Sequence, residues 1–316
     1  MNVLEFEKPL FEIKLRLQEL NEMSDLSPDE LDLKGDLEKQ VVNMEKEIYS
    51  NLDTWKKTKI ARHSQRPGMI YFVENHVEEF VELKGDRGFR DDPSIMGGMG
   101  NLRGQKFMIL GHCKGTSTKE NMERNFGMAH PEGYRKGIRL MNLAERFGLP
   151  VLTIVNTPGA YPGIEAEKRN QSEAIAQSIM QMSQLKVPTI TVITGEGGSG
   201  GAIALGMGNR VLMLENAYYS VISPEGCASI LWGDAAKAET ASMALKYSAK
   251  DLKGFGIIDD IISEGQSGAH NNITLAWNNV IDKVLEHYSQ IKNMSAEELV
   301  EKRYQKFRKI GVLIEK

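Results

Sequence analysis

A glycine-rich run, Gly195–Gly201, is the part of the chain best suited to bind negative charge through its backbone. Five of its seven residues are glycine, and an apolar, β-branched segment precedes it. Because glycine has no Cβ, a ligand can come close to the backbone N–H groups. The small residues Ala202–Leu205 follow, and a helix that starts there directs unpaired N–H groups at an anion. This order predicts an oxyanion site with Gly200 and Gly201 as the donors.

Two other motifs match the same run and give different chemistry. The pattern GxGxxG from Gly195 fits the dinucleotide fingerprint, with Glu215 where a ribose-binding acid would lie. The pattern GxSxG from Gly197 fits the nucleophile elbow of a serine hydrolase. Both interpretations stay open at this point, as does a tight packing turn without a ligand. The residues of the hydrolase triad would be Ser199, Asp259 or Asp260, and His270.

A second loop, Asn156–Gly163, follows the strand-like segment Val151–Val155 and precedes a helical pattern. Two prolines restrict this loop, and its glycines permit close approach of a ligand. In a parallel α/β sheet both loops emerge at the carboxyl edge of the strands, where ligands bind. We therefore predict that substrate contacts come from four residues of the two loops: Gly159, Ala160, Gly197 and Gly198.

The segment Ser223–Trp232 carries two further reactive side chains. Cys227 has nothing basic near it in sequence, which favours a small buried residue over an activated nucleophile. Glu225 follows Ser-Pro and is interpreted as a capping or turn residue rather than an acid or base.

Short apolar runs alternate with helical patterns from about residue 68 onward. The runs Lys106–Gly111, Val151–Val155, Thr189–Thr194 and Val211–Leu214 are predicted strands. The predicted helices are Pro131–Phe147, Ile164–Leu185, Asn271–Ile291 and one that the capping box at Ser295 opens. This alternation predicts an α/β domain with largely parallel strand pairing. The polar segment Lys114–Arg124 is predicted to be a mobile loop.

The first 60 residues have a different pattern. Apolar residues recur three and four apart in two segments that a turn-rich break at Ser24–Glu30 separates. We predict a helical hairpin, residues 1–60, followed by one domain, residues 61–316. Packing on its own domain is the favoured role of the hairpin, and a partner-binding arm is the alternative.

The composition excludes several classes of protein. A net charge of −4 gives no global argument for binding nucleic acid or an anionic membrane. The two distant cysteines, Cys113 and Cys227, exclude a disulfide framework and a CxxC zinc module. The sequence shows neither a signal peptide nor an apolar run of about 18 residues. We expect a soluble, cytoplasmic protein with no bound metal.

Five segments together resemble one family, the α subunit of the bacterial acetyl-CoA carboxylase carboxyltransferase. They occur in the order and spacing of that family, and the resemblance covers nearly the full chain. The segments are Arg124–Met128, Pro131–Lys136, Thr157–Gly163, Gly195–Gly201 and Tyr219–Trp232.

The resemblance implies a crotonase-like (ClpP-like) spiral of ββα units with an N-terminal helical hairpin and C-terminal helices. It also implies transfer of a carboxyl group from carboxybiotin, on a biotin carrier protein, to acetyl-CoA, giving malonyl-CoA. In the family, Gly200 and Gly201 hold the carbonyl oxygen of carboxybiotin. Arg135, Lys136 and Arg139 are then candidates for the CoA phosphates, with a solvated basic helix face as the simpler alternative.

The resemblance further implies several partners. A homologous β subunit joins the chain in an α2β2 assembly, and the active site lies between the two. A zinc ribbon belongs to that β partner. The biotin carboxyl carrier protein and biotin carboxylase complete the system.

Overall fold

The core of the computed structural model, which describes residues 3–311, is one mixed sheet with helices on both faces. The sheet order is β1-β2-β3-β4-β5-β6-β8, and β7 pairs with the end of β5. The first three strands are antiparallel, and the pairs from β3 onward are parallel. The strands are β1 (Glu78–Glu82), β2 (Ile95–Leu102), β3 (Gln105–His112), β4 (Val151–Thr157), β5 (Thr189–Gly198), β6 (Arg210–Leu214), β7 (Tyr218–Ser220) and β8 (Asp260–Ile262).

Fourteen α-helices connect and cover the strands within the described residues. The three longest of them are α2, α6 and α13. In chain order the helices are α1 (Lys8–Glu22), α2 (Pro28–Ser50), α3 (Thr54–Ala61), α4 (Met69–His76), α5 (Thr118–Glu123), α6 (Pro131–Phe147), α7 (Ile164–Glu167), α8 (Gln171–Gln184), α9 (Ser199–Ile203), α10 (Pro224–Trp232), α11 (Ala238–Leu245), α12 (Ala249–Gly254), α13 (Ile273–Ile291) and α14 (Ala296–Arg308).

Most of these elements lie where the sequence pattern predicts them, and two predictions are wrong. The continuous helix predicted over Ile164–Leu185 is broken, because Asn170 adopts a left-handed conformation with φ of 65° between α7 and α8. The segment Lys114–Arg124 is not only a loop. It contains α5, whose first turn is capped by the Ser117 hydroxyl, which accepts from the Glu120 N–H at 3.2 Å.

Strand β5 changes partners along its length, and this positions the glycine run. Its first half pairs with β6 through Ile190–Ile193, and its last three residues, Glu196–Gly198, pair with β7. The register with β4 shifts between Val155 and Thr157. All residues of β4 and β5 are buried, as expected of parallel strands covered on both faces. The glycine run is therefore half strand, and its end lies at the carboxyl edge of the sheet.

The N-terminal helices form the predicted hairpin and contact the core. Helices α1 and α2 pack on each other, and Lys14 pairs with Glu45 at 2.6 Å. The Glu7 carboxylate contacts His270 Nε2 at 2.8 Å, which joins the hairpin to the loop before α13. Helix α3 packs on β5 and β7. Residue 60 as a domain boundary stays a prediction, and residues 1–2 and 312–316 of the predicted domains lie outside the described range.

A fully buried ion pair joins the segment before α4 to the segment that follows β8. The Arg66 guanidinium donates two hydrogen bonds to the Glu264 carboxylate, and both side chains are almost completely buried. The same carboxylate accepts from the backbone N–H groups of Asn216 and Ala269, each at 2.9 Å. Burial would raise the pKa of Glu264, but Arg66 and these donors hold it below its usual value.

Replacing Glu264 by glutamine should destabilise the protein by about 3–5 kcal/mol, because it leaves the Arg66 charge buried and unpaired. Asp282→Asn is the matched control, since it removes only the exposed pair with Arg103 and should cost less than about 1 kcal/mol. Thermal and urea denaturation of both variants measure the difference. Equal shifts in the two variants would contradict a special role for the buried pair.

Candidate active site

The glycine turn forms where β5 meets α9 without an intervening loop. Gly198 is the last residue of β5, and Ser199, the first residue of α9, is exposed and adopts a left-handed φ of 53°. Gly200 and Gly201 follow as the second and third residues of the helix. No preceding helical turn can accept their N–H hydrogen bonds. Two adjacent N–H groups without helical acceptors could stabilise one negatively charged oxygen, and this role of Gly200 and Gly201 stays a prediction.

Backbone atoms of the second loop pack directly on this turn. A Cβ on Gly198 would lie 2.1 Å from the Pro158 carbonyl oxygen, and one on Gly201 would lie 2.6 Å from the Gly159 carbonyl carbon and 2.7 Å from the Ala160 nitrogen. Real Cβ atoms do not approach other atoms so closely, so only glycine fits at both positions. A Cβ on Gly200 would meet nothing closer than Ile175, at 3.6 Å. The structure thus brings together the two predicted substrate loops.

Hydrogen bonds hold the second loop in place. The Thr157 hydroxyl donates to the Gly159 carbonyl at 2.6 Å and accepts from the Gly159 N–H at 3.1 Å. The Tyr161 N–H donates to the Ala129 carbonyl at 3.0 Å. The side chain of Gln171 donates to the carbonyl groups of both Ala129 and Tyr161. The loop is thereby anchored to the segment before α6 and to the start of α8.

A charged cluster that the sequence analysis missed surrounds Glu196, inside the glycine run. The Glu196 carboxylate accepts from Lys114 Nζ at 2.6 Å, Arg62 Nε at 3.0 Å and the Tyr218 hydroxyl at 2.7 Å. Burial would raise the pKa of Glu196, but Lys114, Tyr218 and Arg62 together lower it below its usual value. In the sequence, only the position of Glu196 between two glycines could have pointed to this cluster, because its partners come from distant segments.

The same cluster extends to α10 and to the second loop. Arg62 also donates to both oxygens of Glu225, at 2.6 and 3.1 Å. Glu225 is therefore not the capping residue that the sequence suggested, since the Ser223 hydroxyl caps α10. The backbone N–H of Glu196 donates to the Asn156 side chain at 3.1 Å. Arg62 thus joins β5, β7 and α10 beside the glycine turn.

Several members of this cluster line a cleft of about 470 Å³ beside the glycine turn. Its walls come from the segment between α3 and α4, from the loop before α5 and from the start of the second loop. The lining includes Arg62, Arg66, Lys114, Asn156, Pro158 and Glu196.

His112, at the carboxyl end of β3, is a neutral ring buried behind the turn. Burial, with the nearby Lys114 charge, lowers the pKa of His112 to about 3. The carbonyl groups of Ile154 and Gly201 are close enough to oppose this shift, but within the described residues neither ring nitrogen meets hydrogen-bond geometry. Because the ring stays uncharged, it adds no positive charge to the oxyanion site.

The residues of the alternative hydrolase triad are not assembled. His270 Nε2 contacts Glu7, and its ring lies against His63 with centroids 4.6 Å apart. Asp259 accepts from the Val211 N–H at 2.6 Å, and Asp260 pairs with Lys253 and Lys283, each at 3.2 Å. None of these groups contacts Ser199. The serine-hydrolase interpretation is not favoured.

The ribose-binding acid that the dinucleotide interpretation requires, Glu215, is not available for a ligand. Glu215 accepts from the Ser263 hydroxyl at 3.3 Å and from the Glu264 N–H, so it is committed to the end of β8. Helix α9 has only five residues, which is too short for the helix of that motif.

The three cations suggested for CoA phosphates lie on α6 but do not converge. Lys136 is 1% exposed and donates to Asp91 at 2.7 Å and to the Asp92 carbonyl at 2.8 Å. This buried ammonium is committed to the fold and cannot reach a ligand from there. Arg135 and Arg139 lie at the surface and donate mainly to backbone carbonyl groups. They stay candidates.

The fold of the chain is crotonase-like. The structure resembles transcarboxylase 12S with a TM-score of 0.56 at 18% identity, covering 75% of this chain and 45% of that chain. It resembles a Pseudomonas malonate decarboxylase heterodimer with a TM-score of 0.56 at 17% identity, covering 76% of this chain and 92% of that chain. These likenesses establish the fold alone, and its division into ββα units stays a prediction.

Sequence relatives establish the particular family. The family model described as acetyl co-enzyme A carboxylase carboxyltransferase-like matches residues 3–311. The carboxyltransferase α subunit of acetyl-coenzyme A carboxylase from Thermus thermophilus is 50% identical over 315 residues, or 99% of each chain. The α subunit from Staphylococcus haemolyticus is 47% identical over 318 residues, with 99% and 100% covered. The chain belongs to this family of acetyl-CoA carboxylase carboxyltransferase α subunits.

Gly200 and Gly201 should respond differently to alanine. Gly201→Ala should destabilise the protein by about 1–3 kcal/mol, because the new methyl group overlaps the Gly159 backbone. Gly200→Ala is the matched control and should leave the free energy of unfolding within about 0.5 kcal/mol, since its methyl group only contacts Ile175. Thermal denaturation checks both variants, and equal losses would show that the second loop does not lie where the structure has it.

Glu196→Gln should destabilise the protein by about 1–3 kcal/mol near neutral pH, because it weakens three hydrogen bonds to a buried carboxylate. Since the folded-state pKa of Glu196 is lowered, its contribution is present above the ordinary value of 4.5 and is lost as pH falls through the lower folded-state value. The difference between wild type and variant should therefore shrink in acid. Melting temperatures measured across pH test this, with the exposed Glu239→Gln as control. A constant difference would contradict the ion-pair assignment.

Proposed function

We propose that this chain transfers a carboxyl group from carboxybiotin to acetyl-CoA, giving malonyl-CoA, the first committed step of fatty-acid synthesis. The proposal rests on the adjacent N–H groups of Gly200 and Gly201 at the end of a buried strand, together with membership of the family. The curated relatives are named for acetyl-coenzyme A carboxylase. No nucleophilic side chain is required by this chemistry.

The proposed role of the glycine turn is to stabilise charge on oxygen. The N–H groups of Gly200 and Gly201 donate to the ureido oxygen of carboxybiotin, where negative charge develops as the bond between nitrogen and the carboxyl carbon breaks. Such donors are already oriented, so no reorganisation is needed during the reaction. The ureido group that loses the carboxyl group, as carbon dioxide, takes up the α-proton of acetyl-CoA, and the enolate so formed attacks the carbon dioxide to give malonyl-CoA. In the proposed assembly a β subunit supplies the donors for that enolate oxygen.

The neighbouring residues have supporting roles in this proposal. Gly198 and Gly201 let the second loop close on the turn, and Gly197, Gly159 and Ala160 form the wall along which substrate approaches. Glu196 and Glu225 together balance the charges of Arg62 and Lys114 beside the turn.

The proposed partners and setting follow the family. The chain joins a β subunit in an α2β2 assembly, and the carboxyl donor arrives on a biotin carboxyl carrier protein that biotin carboxylase has loaded. Within residues 3–311 no cluster of three histidine, cysteine or acidic side chains could hold a metal ion, and we place the zinc of the system on the β subunit. No helix in that range is long and apolar enough to cross a membrane. We propose a cytoplasmic location.

The test is carboxyl transfer by the chain reconstituted with its β subunit. The pair should form malonyl-CoA from acetyl-CoA and a carboxybiotin donor, and Gly200→Leu should reduce the rate by at least about 10²-fold because its side chain blocks access to the N–H pair. Ser199→Ala should keep a rate within about threefold of wild type, since the hydroxyl has no chemical role. Labelling of Ser199 by a fluorophosphonate, or full activity of the chain without a β subunit, would contradict the proposal.

A further inference from the structure

The side chain of Arg62 connects the end of β5 to the start of α10. Its Nε donates to the Glu196 carboxylate at 3.0 Å, and its Nη1 and Nη2 donate to the two oxygens of Glu225 at 2.6 and 3.1 Å. Glu196 lies inside the glycine run, and Glu225 is the second residue of α10. The main chain joins the same two elements, since β7 pairs with the end of β5 and α10 begins three residues after β7. We call the contact of Arg62 with both carboxylates the Arg62 bridge.

The backbone at Arg62 is held firmly, so its guanidinium starts from a fixed place. Arg62 directly follows α3, whose last two residues, Ile60 and Ala61, are buried. The Arg62 N–H donates to the Thr58 carbonyl at 3.2 Å. The end of α3 also packs on the glycine run, because a Cβ on Gly195 would lie only 3.0 Å from the Ala61 carbonyl oxygen. Arg62 can therefore move relative to the glycine run only if α3 moves as well.

The two carboxylates of the bridge depend on Arg62 to different degrees. Glu196 is buried and has two further partners, since Lys114 donates to its Oε1 and the Tyr218 hydroxyl donates to its Oε2. Glu225 is half-buried, and hydrogen bonds from Arg62 lower its pKa below the usual value, although burial and the nearby Glu196 charge oppose that shift. The two like charges are thus close enough to repel each other, and the guanidinium between them turns this repulsion into attraction.

The glycine turn needs a restraint of this kind because it contains a strained residue. Ser199 has a left-handed φ of 53°, a conformation that a residue other than glycine keeps only where its surroundings enforce it. The second loop restrains the turn from one side. Within β5, Glu196 is the last residue before Ser199 with a side chain, because the two residues between them are glycines. The contact of Glu196 with Arg62 is therefore among the last side-chain restraints that β5 can apply to the turn.

We infer that Arg62 is a positioning residue for the proposed carboxyl transfer. By bridging Glu196 and Glu225, it fixes the orientation of the two N–H groups of the glycine turn relative to α10. The inference rests on the proposed function, which assigns those N–H groups to the ureido oxygen, and Arg62 acts on them through Glu196. The requirement is geometric. A planar guanidinium donates to two carboxylates in fixed directions, whereas a lysine ammonium is a point charge on a flexible stem.

The experiment replaces Arg62 by lysine, which keeps the positive charge and removes the fork of donors. In the complex reconstituted with the β subunit, Arg62→Lys should lower kcat about 10- to 100-fold, while KM for acetyl-CoA stays within about twofold of wild type. The loss should not exceed that of a missing oxyanion donor, because both donors remain but are less firmly oriented. A full kcat in this variant would overturn the bridge and leave only a role in charge balance.

Arg103→Lys is the matched control. Arg103 also donates to two side chains, Asp282 and Asn278, but it precedes β3 and so lies at the opposite edge of the parallel strands from the glycine turn. Its replacement should leave both kcat and KM unchanged. An equal loss of kcat in this control would overturn the inference, because the effect would then come from general destabilisation.

Glu225→Gln tests the bridge from α10 and keeps the inference testable if Arg62→Lys does not fold. It should lower kcat about three- to tenfold with KM unchanged, and an unchanged kcat would overturn the inference. When both substitutions are combined, kcat should match that of Arg62→Lys alone, because both changes break the same bridge. Losses that multiply in the double variant would show that the two residues act independently, which contradicts the bridge.

Hydrogen exchange in the full-length chain separates the failure of this inference from the failure of the proposed function. Arg62→Lys should speed exchange of the backbone amides in residues 196–203 and in residues 224–232 at least about fivefold, because the bridge restrains both segments. If the wild-type complex transfers no carboxyl group but both segments respond, the bridge stands and the proposed reaction is wrong. If the complex is active and only one segment responds, or neither does, the bridge is overturned and the reaction stands.

Discussion

The close contact between two backbone segments is the constraint on which the site depends. Gly198 and Gly201 lie against Pro158 and Gly159 at distances that no side chain tolerates. This packing fixes the start of α9, and so fixes the direction of the N–H groups that follow. An oxyanion site made from backbone donors needs this rigidity, because its energetic value comes from donors that are oriented before charge develops.

The charged side chains around the glycine turn balance one another. The N–H groups of Gly200 and Gly201 therefore lie in no strong electric field of either sign. Lys114 and Arg62 share the Glu196 carboxylate, and Arg62 also holds Glu225. A bare pair of cations at this place would bind any anion, whereas a balanced cluster leaves selection to the shape of the turn.

The sequence was sufficient for the strands, most helices and the position of the glycine turn, because each of these leaves a local pattern. Helix α6 was predicted at its observed bounds from apolar spacing and an N-terminal proline. The Glu196 cluster was not predictable in this way, since its members come from residues 62, 114 and 218 and meet only in the folded chain. Lys136 was wrongly predicted to face solvent, because a basic residue between two surface arginines looks exposed in the sequence. Each step along a helix rotates the side chain by about 100°, and at Lys136 this rotation points the side chain toward the core.

The Arg66–Glu264 pair has a consequence for the order in which the chain can fold during synthesis. Its partners are 198 residues apart in sequence, and Glu7 and His270 are 263 apart. A ribosome releases the glycine turn well before Glu264, so the nascent chain contains the whole turn while Arg66 still lacks its counter-ion. Contacts of such long range form slowly. A chain truncated after α12 would keep every residue of the turn and yet be a strong substrate for chaperones and proteases.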